Sequence, residues 1–277
     1  MRSADFLKNA VLVMAHPDDE ALWASSVLSG VSRVILCFEN VISYPAWTHG
    51  RRRSLAQYPL THVTQLGLQE SEVFNCAGWP EPEETPYGLK VLQRAGAMPG
   101  FSEQRYRENH RMLVDRLRRL LSGHKVVITH NPWGEYGHEE HVQVFRAVAD
   151  VQIDCGFELL VSGYVSNKTY PLMLRHLPRL EVNLSNRPTD AKLAAQLKAL
   201  YSQNQCWTWF DDYVWPEKES FYRWRGTGEQ PVSVRSGSFL AFNTLWIKWA
   251  PLSDQTFLRR ALRRAVRLLR RSSSKNP

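Results

Sequence analysis

Continuous apolar runs alternate with helical patterns along the first half of the chain. The run from Val11 to Ala15 is apolar throughout, and the run from Arg33 to Phe38 is apolar after Arg33. Such runs are expected for strands that are covered on both faces. Asp19 to Leu28 is predicted to be the helix between them, which completes one βαβ unit. A third strand is predicted at Lys125 to Thr129. This order predicts an α/β fold with a mostly parallel sheet, helices on both faces and C-terminal elaborations.

The remaining elements follow from the same patterns. Further helices are predicted over Arg51 to Leu66 (ending at Gly67), Glu103 to Leu121, Gly137 to Val151 and Thr189 to Gln203, with a strand at Leu159 to Tyr164. Ala77 to Gly100 is predicted to be a long surface loop. The predicted division is residues 1–205 as a core, 206–255 as an aromatic-rich elaboration of the same domain, and 256–277 as a basic tail helix.

The positive charge of the chain is confined to its tail. The formal net charge is +8, and residues 257–277 contain seven arginines, Lys275 and no acid. Because the rest of the chain is neutral, we expect no nucleic-acid partner. Apolar residues recur at helical spacing from Phe257, which predicts a basic amphipathic helix over 257–271. Two interpretations stay open: this helix contacts an anionic membrane surface, or it docks on the core with its arginines in solvent.

Cysteine usage and hydropathy indicate the compartment. The four cysteines are widely spaced without a C-x-x-C pair, so the sequence indicates neither a disulfide framework nor a thiolate zinc site. No apolar run approaches the roughly 20 residues that cross a bilayer. Met1 to Lys8 lacks the apolar core of a signal peptide. We therefore expect a cytoplasmic protein, peripheral at the inner face of the membrane if the tail binds lipid.

The first segment that carries chemistry follows the first predicted strand. His16, Asp18, Asp19 and Glu20 lie in the sequence HPDDE, where the strand gives way to a helix. Ligands of open α/β sheets bind beyond the carboxyl ends of the strands. One imidazole beside two carboxylates suits part of a metal site. This segment alone leaves a second interpretation open, in which the acids cap the helix.

A second segment, YGHEEH at residues 136–141, follows the strand predicted at Lys125 to Thr129. His138 and His141 are spaced i, i+3, so both are expected to point inward from the helix that they open. This spacing differs from the H-E-x-x-H motif of metalloproteases. A pair of structural core histidines is the alternative. Two ligand-rich segments at two strand exits favour one shared metal site, with His130 as a rival ligand or a supporting residue.

Together the two segments resemble the LmbE-like zinc-dependent deacetylases, which include the PIG-L N-acetylglucosaminyl-phosphatidylinositol deacetylases and mycothiol-pathway sugar deacetylases. The resemblance is carried by AHPDDE at residues 15–20 and GEYGHEEH at residues 134–141. Leu66-Gly67 and LYSQ at residues 200–203 support it more weakly. It covers about residues 8–205 and implies a Rossmann-like fold with one zinc ion.

The resemblance also implies a role for six residues. The implied zinc ligands are His16, Asp19 and His141. The implied catalytic residues are Asp18 as general base, His138 as the charged partner of the oxyanion or leaving amine, and Tyr136 as a contact of the substrate carbonyl. A zinc ion with three protein ligands keeps the open position that catalysis requires.

Two positions depart from the family's pattern. Glu140 stands where the family usually has Asp before the second ligand histidine, so its carboxylate is expected to reach His138 differently. The pKa of His138 is therefore open. Arg51 to Ser54 lacks the acid of the family's Arg-x-x-Glu pattern, which leaves open the arginine that contacts substrate.

The predicted function is zinc-dependent removal of an N-acetyl group from an amino sugar or glycoconjugate, lipid-linked if the tail binds membrane. One alternative is an amidase that cleaves a bulkier acyl group from a related amine. The other is a catalytically silent module that binds a glycan or lipid. The aromatic residues between Trp207 and Trp224 are expected in core or lid packing rather than sugar stacking, and Glu219 is expected to be a solvated loop acid.

Overall fold

A computed structural model of the chain describes residues 4–74, 82–91, 98–226, 229–230 and 240–247. The described strands are β1 (Ala10–Met14), β2 (Arg33–Asn40), β3 (Val63–Gln69), β4 (Glu84–Thr85), β5 (Gly88–Leu89), β6 (Val126–Thr129), β7 (Glu158–Ser162), β8 (Tyr164–Ser166), β9 (Leu180–Pro188), β10 (Lys218–Trp224) and β11 (Asn243–Leu245). The described helices are α1 (Asp19–Trp23), α2 (Ser25–Leu28), α3 (Pro45–Ala56), α4 (Glu103–Leu121), α5 (Glu139–Cys155), α6 (Tyr170–His176) and α7 (Ala191–Gln203).

Seven strands form the central sheet in the order β3-β2-β1-β6-β7-β10-β9. The first five strands in this order, β3, β2, β1, β6 and β7, are parallel to one another. Strand β10 is antiparallel to both β7 and β9. This topology confirms the α/β fold with a mostly parallel sheet. The chain leaves β1 toward β2 on one side and reaches β6 on the other, so the carboxyl ends of β1 and β6 meet at the crevice where such sheets bind ligands.

Helices cover both faces of the sheet, as expected. Alternate residues of β1 belong to different cores: Leu12 packs on the side that includes residues of α1, α2 and α7, and Val13 on the side of α4 and α5. Both residues are fully buried. The continuous apolar run at Val11 to Ala15 therefore reflects a central strand that is covered on both faces.

Two predicted elements are wrong in their bounds. The helix predicted over Asp19 to Leu28 is broken at Ala24 into α1 and α2. The helix predicted over Arg51 to Leu66 is α3, which ends at Ala56, and the edge strand β3 follows it. Gly67 lies inside β3 with a φ of 67°, beside a shift in the β2–β3 register, and does not end a helix. A glycine at positive φ serves a bulge as well as a helix end.

The other predictions agree more closely with the structure. The bounds of α4 are those predicted, and α5 begins two residues later than expected. The segment predicted as one strand at Leu159 to Tyr164 is divided between β7 in the main sheet and β8, which pairs with β11. Part of the predicted loop at Ala77 to Gly100 is the short hairpin of β4 and β5, and its residues 77–81 and 92–97 lie outside the described residues.

Two predictions concern the C-terminal part of the chain. Strand β10, which belongs to the predicted elaboration, lies within the central sheet. The predicted tail helix at 257–271 lies outside the described residues. Among the described helices, none combines the length and the apolar character needed to cross a bilayer.

Candidate metal centre

The turn after β1 directs its two aspartates to different partners. Asp18 has a φ of 111°, a left-handed conformation that residues with a side chain rarely adopt. Such strain costs on the order of 1–3 kcal/mol and clusters at functional sites. Asp19 begins α1 and folds back, so that its Oδ2 accepts a hydrogen bond from the backbone N–H of His16 at 2.7 Å. Both carboxylates are buried.

Asp19 lies between two imidazole rings. Its Oδ2 is 3.2 Å from Nδ1 of His16, and its Oδ1 is 3.2 Å from Nε2 of His141. The centroids of the two rings are 5.4 Å apart, although His16 follows β1 and His141 lies in α5. The structure thus brings together the three residues that the resemblance implies as zinc ligands.

Each of these imidazoles contacts a buried glutamate through its other nitrogen. Glu140 Oε2 is 2.9 Å from Nε2 of His16, and Glu135 Oε2 is 2.8 Å from Nδ1 of His141. Each glutamate orients its ring from the side away from Asp19, so that His16 Nδ1 and His141 Nε2 are the nitrogens that face Asp19. His141 Nε2 is buried and has no hydrogen-bond partner among the described residues. This donor set fits a divalent metal such as zinc.

Three overlapping groups of described side chains have ligand atoms close enough to share a metal ion. They are His16, His138 and His141; Asp19, His130 and His141; and His16, Glu70 and Glu140. His130 is engaged within the protein at both ring nitrogens, since Nε2 accepts from the backbone N–H of Ala15 at 2.9 Å and Nδ1 lies 3.0 Å from Glu135. These contacts favour a supporting role for His130.

The surrounding acids favour a positive charge at His16. Burial lowers the pKa of His16, but Glu70, Asp19 and Glu140 together outweigh it and raise the pKa to about 10. Carboxylates that stabilise a proton on this ring also stabilise a metal cation beside it, because both are positive charges at the same place.

Glu135 is a residue of the cluster to which the sequence alone assigned no role. It is fully buried and has a φ of 53°. Its Oε1 accepts hydrogen bonds from Ser162 Oγ and from the backbone N–H of Asn131, while its Oε2 contacts the rings of His130 and His141. Burial raises the pKa of Glu135, but the two histidines bring it down to about 2. The GEYGHEEH match contains Glu135, yet only the fold shows which rings it orients.

Asp18 is adjacent to the cluster but bonds to a different part of the chain. Its Oδ2 accepts hydrogen bonds from the backbone N–H of Thr208 at 3.0 Å and from Thr208 Oγ1 at 2.6 Å. Burial and the charge of Asp19 raise the pKa of Asp18 to about 8, against the opposing effects of Thr208 and Arg51. A carboxylate with a pKa near neutrality can both take and release a proton.

His138 caps α5, and its contacts bear on the charge that the resemblance implies for it. Its Nδ1 accepts a hydrogen bond from the backbone N–H of Glu140 at 3.2 Å, which places the ring proton on Nε2. Burial, together with His141 and His16, lowers the pKa of His138 well below its usual value. The resemblance implied a charged His138, whereas this geometry favours a neutral ring that donates through Nε2. Glu140 orients His16 and not the His138 ring.

The acid missing from the Arg-x-x-Glu pattern is supplied by the end of β3. Arg51 is buried in α3, and its Nη1 donates to the Glu70 carboxylate. Glu70 in turn lies 3.7 Å from Nε2 of His16. Ser54, at the position of the expected acid, instead contacts Cys206 Sγ at 3.4 Å. Arg51 is therefore part of the support of the cluster, and the sequence could not pair it with an acid 19 residues away.

Glu20 accounts for the weaker sequence match at residues 200–203. Its Oε1 accepts hydrogen bonds from Tyr201 at 2.7 Å and Tyr58 at 2.9 Å, and its Oε2 accepts from the backbone N–H of Asp18 at 3.1 Å. Burial raises the pKa of Glu20 to about 7. This carboxyl joins α7 to the strained turn that presents Asp18.

Aromatic side chains form one wall beside the cluster. The ring of Tyr136 is 5.4 Å from that of His141 and 4.6 Å from that of Trp209. Trp209 also packs edge-on against Trp23, whose Nε1 donates to Asp19 Oδ1 at 3.1 Å. Trp209 further lines a cavity of about 440 Å³. The aromatic-dense segment therefore packs against the candidate metal centre.

Glu219 is not the solvated loop acid that the sequence predicted. It lies in β10 and is fully buried. Its carboxylate accepts hydrogen bonds from the backbone N–H of Ser26 at 2.8 Å and from Tyr164 Oη at 2.9 Å, and Ser25 Oγ is 3.3 Å away. These donors satisfy the buried carboxyl group at the start of α2, which explains why an acid is tolerated there.

Comparisons with known proteins place this geometry in context. A family model described as PIG-L: GlcNAc-PI de-N-acetylase matches residues 11–152, just over half of the chain. No curated protein matches. Solved structures with a similar fold include a deacetylase–teicoplanin complex from teicoplanin biosynthesis (12% identity, 79% of this chain and 99% of that chain, TM-score 0.46). They also include the zinc-inhibited form of teicoplanin deacetylase Orf2 (11% identity, 71% of this chain and 84% of that chain, TM-score 0.44). A third is the A40926 pseudoaglycone deacetylase Dbv21 (14% identity, 72% of this chain and 82% of that chain, TM-score 0.40). Similarities at this level carry no argument about substrate.

Proposed function

The chain belongs to the PIG-L family, and we propose that it is a zinc-dependent hydrolase that removes the N-acetyl group from an amino sugar or glycoconjugate. One observation carries the proposal. One oxygen of Asp19 lies 3.2 Å from a ring nitrogen of His16, and the other lies 3.2 Å from a ring nitrogen of His141. Each of these two rings is oriented by a buried glutamate. The adjacent acid, Asp18, is outside this pair and has its own partners.

We propose His16, Asp19 and His141 as the metal ligands. A divalent cation held by them supplies Lewis acidity toward an amide carbonyl and lowers the pKa of water. Glu140 and Glu135 would orient both imidazoles, because each contacts the ring nitrogen that faces away from Asp19.

Asp18 is the proposed proton carrier. It takes a proton from the attacking water and returns it to the departing amine nitrogen. The raised pKa, about 8, suits both transfers near neutral pH. General acid–base catalysis of this kind contributes about 10²- to 10⁴-fold in rate.

His138 and Tyr136 are the proposed contacts of the reacting acetamide. His138, with its proton on Nε2, donates a hydrogen bond to the oxyanion that develops on the carbonyl oxygen. Loss of one such donor costs about 3–4 kcal/mol of transition-state stabilisation. Tyr136, in the aromatic wall beside His141, contacts the acetamide carbonyl in the ground state.

A lipid-linked substrate is a separate part of the proposal and depends on residues 257–271, outside the described part of the chain. The arginines of this segment would contact anionic lipid, at about 1 kcal/mol for each basic residue near the surface. Co-sedimentation with anionic liposomes, with and without residues 255–277, tests it. Equal pelleting of the two proteins would remove this part and leave the deacetylase proposal unaffected.

The function is tested by metal analysis followed by acetate release from a panel of N-acetylglucosamine conjugates. We expect bound zinc, acetate release that a chelator abolishes, and loss of turnover in Asp18→Ala without loss of metal. Release of a longer acid in place of acetate would favour the amidase. A protein that purifies without metal and releases no acid would contradict both and favour a silent binding module.

A further inference from the structure

The Asp18 carboxylate is held through one oxygen only. Both hydrogen bonds that it accepts from described side chains and backbone go to Oδ2, at 2.6 Å from Thr208 Oγ1 and 3.0 Å from Thr208 N. No hydrogen bond from the described residues reaches Oδ1. The donor lies 190 residues away in sequence, at the start of the aromatic-dense segment. One carboxylate oxygen is thus anchored, and the other is available to a proton.

The backbone that carries Thr208 is fixed on both sides. Cys206 is buried, and its backbone N–H donates to the carbonyl of Tyr201 at 2.9 Å. Trp209 is packed against Trp23 and Tyr136, with ring centroids 5.1 and 4.6 Å apart. Thr208 itself is exposed, whereas the Asp18 carboxylate that it contacts is buried. A donor held by a buried cysteine and a buried tryptophan has a defined position before any substrate binds.

We propose that Thr208 is the positioning residue for Asp18, which rests on the function proposed above. Its two hydrogen bonds fix the orientation of the carboxylate, and Oδ1 is the oxygen that takes the proton from water and returns it to the amine. Oδ2 keeps its two donors in both protonation states, since either state of the carboxyl can accept through that oxygen. The acid therefore needs no rotation between the two transfers. Positioning to within about 0.5 Å is the precision that catalytic groups require.

The experiment compares Thr208→Val, which lacks the hydroxyl but keeps the shape, with Thr208→Ser, which keeps the hydroxyl. We expect kcat for acetate release to fall roughly 10- to 100-fold in Thr208→Val, as for loss of a hydrogen bond to a charged group. KM and zinc content should be unchanged, and Thr208→Ser should restore most of kcat. An unchanged kcat in Thr208→Val, or an equal loss in Thr208→Ser, would overturn the proposal.

Thr189→Val is the matched control. The hydroxyl of Thr189 donates to the carbonyl of Pro216, in the middle of the same segment, and makes no hydrogen bond to Asp18. If Thr208 acts only by tethering the segment, Thr189→Val should lower kcat as much as Thr208→Val does, and the proposal would be wrong. If Thr208 orients Asp18, Thr189→Val should lower Tm and leave kcat near the wild-type value.

A crystal structure of Thr208→Val tests the positioning role of Thr208 without a measurement of activity. We expect the Asp18 carboxylate to move by more than about 0.5 Å from its wild-type position. A carboxylate that stays in place would overturn the positioning role. A wild-type protein that releases no acid from any conjugate would contradict the proposed function, whereas this structural comparison would still test Thr208.

Discussion

Replacement of Glu135 by Gln should weaken metal binding while leaving the proposed ligands in place. The Glu135 carboxylate faces four donors: the rings of His130 and His141 at 3.0 and 2.8 Å, the Ser162 hydroxyl, and the backbone N–H of Asn131 at 3.2 Å. A glutamine must turn its NH₂ group toward two of these donors. The remaining amide oxygen is uncharged. It therefore orients the His141 ring less firmly than a carboxylate does, and it strengthens that ring less as a metal ligand.

The expected magnitude follows from the position of Glu135 behind a ligand. Loss of a partner that orients a metal-bound histidine typically costs 10- to 100-fold in metal affinity, which is about 1.4–2.7 kcal/mol. We expect Glu135→Gln near the lower end, because it retains one acceptor. Glu135→Ala should be worse, since each buried donor left without an acceptor costs about 1–3 kcal/mol of folding free energy.

Competition with a chromophoric chelator measures the zinc Kd of each variant. Glu84→Gln is the control, because Glu84 contacts a histidine, His176, at 3.1 Å outside the cluster. It should bind zinc as the wild type does. An unchanged Kd in a folded Glu135→Gln would refute the assignment of His141 as a ligand oriented by this glutamate.

Three further changes test other parts of the account. Asp18→Asn should reduce kcat by about 10²- to 10⁴-fold with full zinc content, measured by acetate release and metal analysis; a smaller loss would remove its role as proton carrier. His138→Ala should reduce kcat about 10²- to 10³-fold with little change in KM, and a change in KM alone would contradict an oxyanion contact. Burial raises the pKa of Glu219, so the folded state holds this proton more tightly and stability should fall as pH rises above the ordinary value of 4.5. Urea unfolding should show that Glu219→Gln lacks this part of the pH dependence; identical profiles would contradict it.

The sequence was sufficient for the parallel strands β1, β2, β6 and β7 and for the convergence of the two motifs. The run at Val11 to Ala15 is apolar on both faces, which only a covered strand requires, and it places His16 at the carboxyl end of a central strand. His141 follows β6, the next strand in the sheet. Adjacent parallel strands end at the same edge, so two segments more than 100 residues apart in sequence meet there.

The partners of these residues could not be predicted, because they depend on long-range packing. Thr208 contacts Asp18, and Glu70 contacts Arg51; no spacing rule of the sequence joins either pair. Glu135 contacts His141. Glu219 lies between the polar residues Lys218 and Ser220, which give no sign that its side chain is buried. Its environment is set by the start of α2 and by Tyr164, from other parts of the fold.

The predicted helix over Arg51 to Leu66 failed for a local reason. Val63–Gln69 is an edge strand in which apolar and polar residues alternate poorly, so its pattern is weak. Gly67 adds an αL signal that suits a helix end as well as a bulge. Only the pairing of β3 with β2 distinguishes the two.

The central claim is that His16, Asp19 and His141 bind one metal ion while Asp18 does not, and metal content tests it most directly. Wild-type protein, Asp19→Ala and Asp18→Ala would be purified alike, dialysed against zinc-free buffer and measured by elemental analysis, with folding confirmed by circular dichroism. The account predicts about one equivalent of zinc in the wild type and in Asp18→Ala, and little in folded Asp19→Ala. Equal zinc in the two variants, or loss of zinc from Asp18→Ala alone, would contradict it.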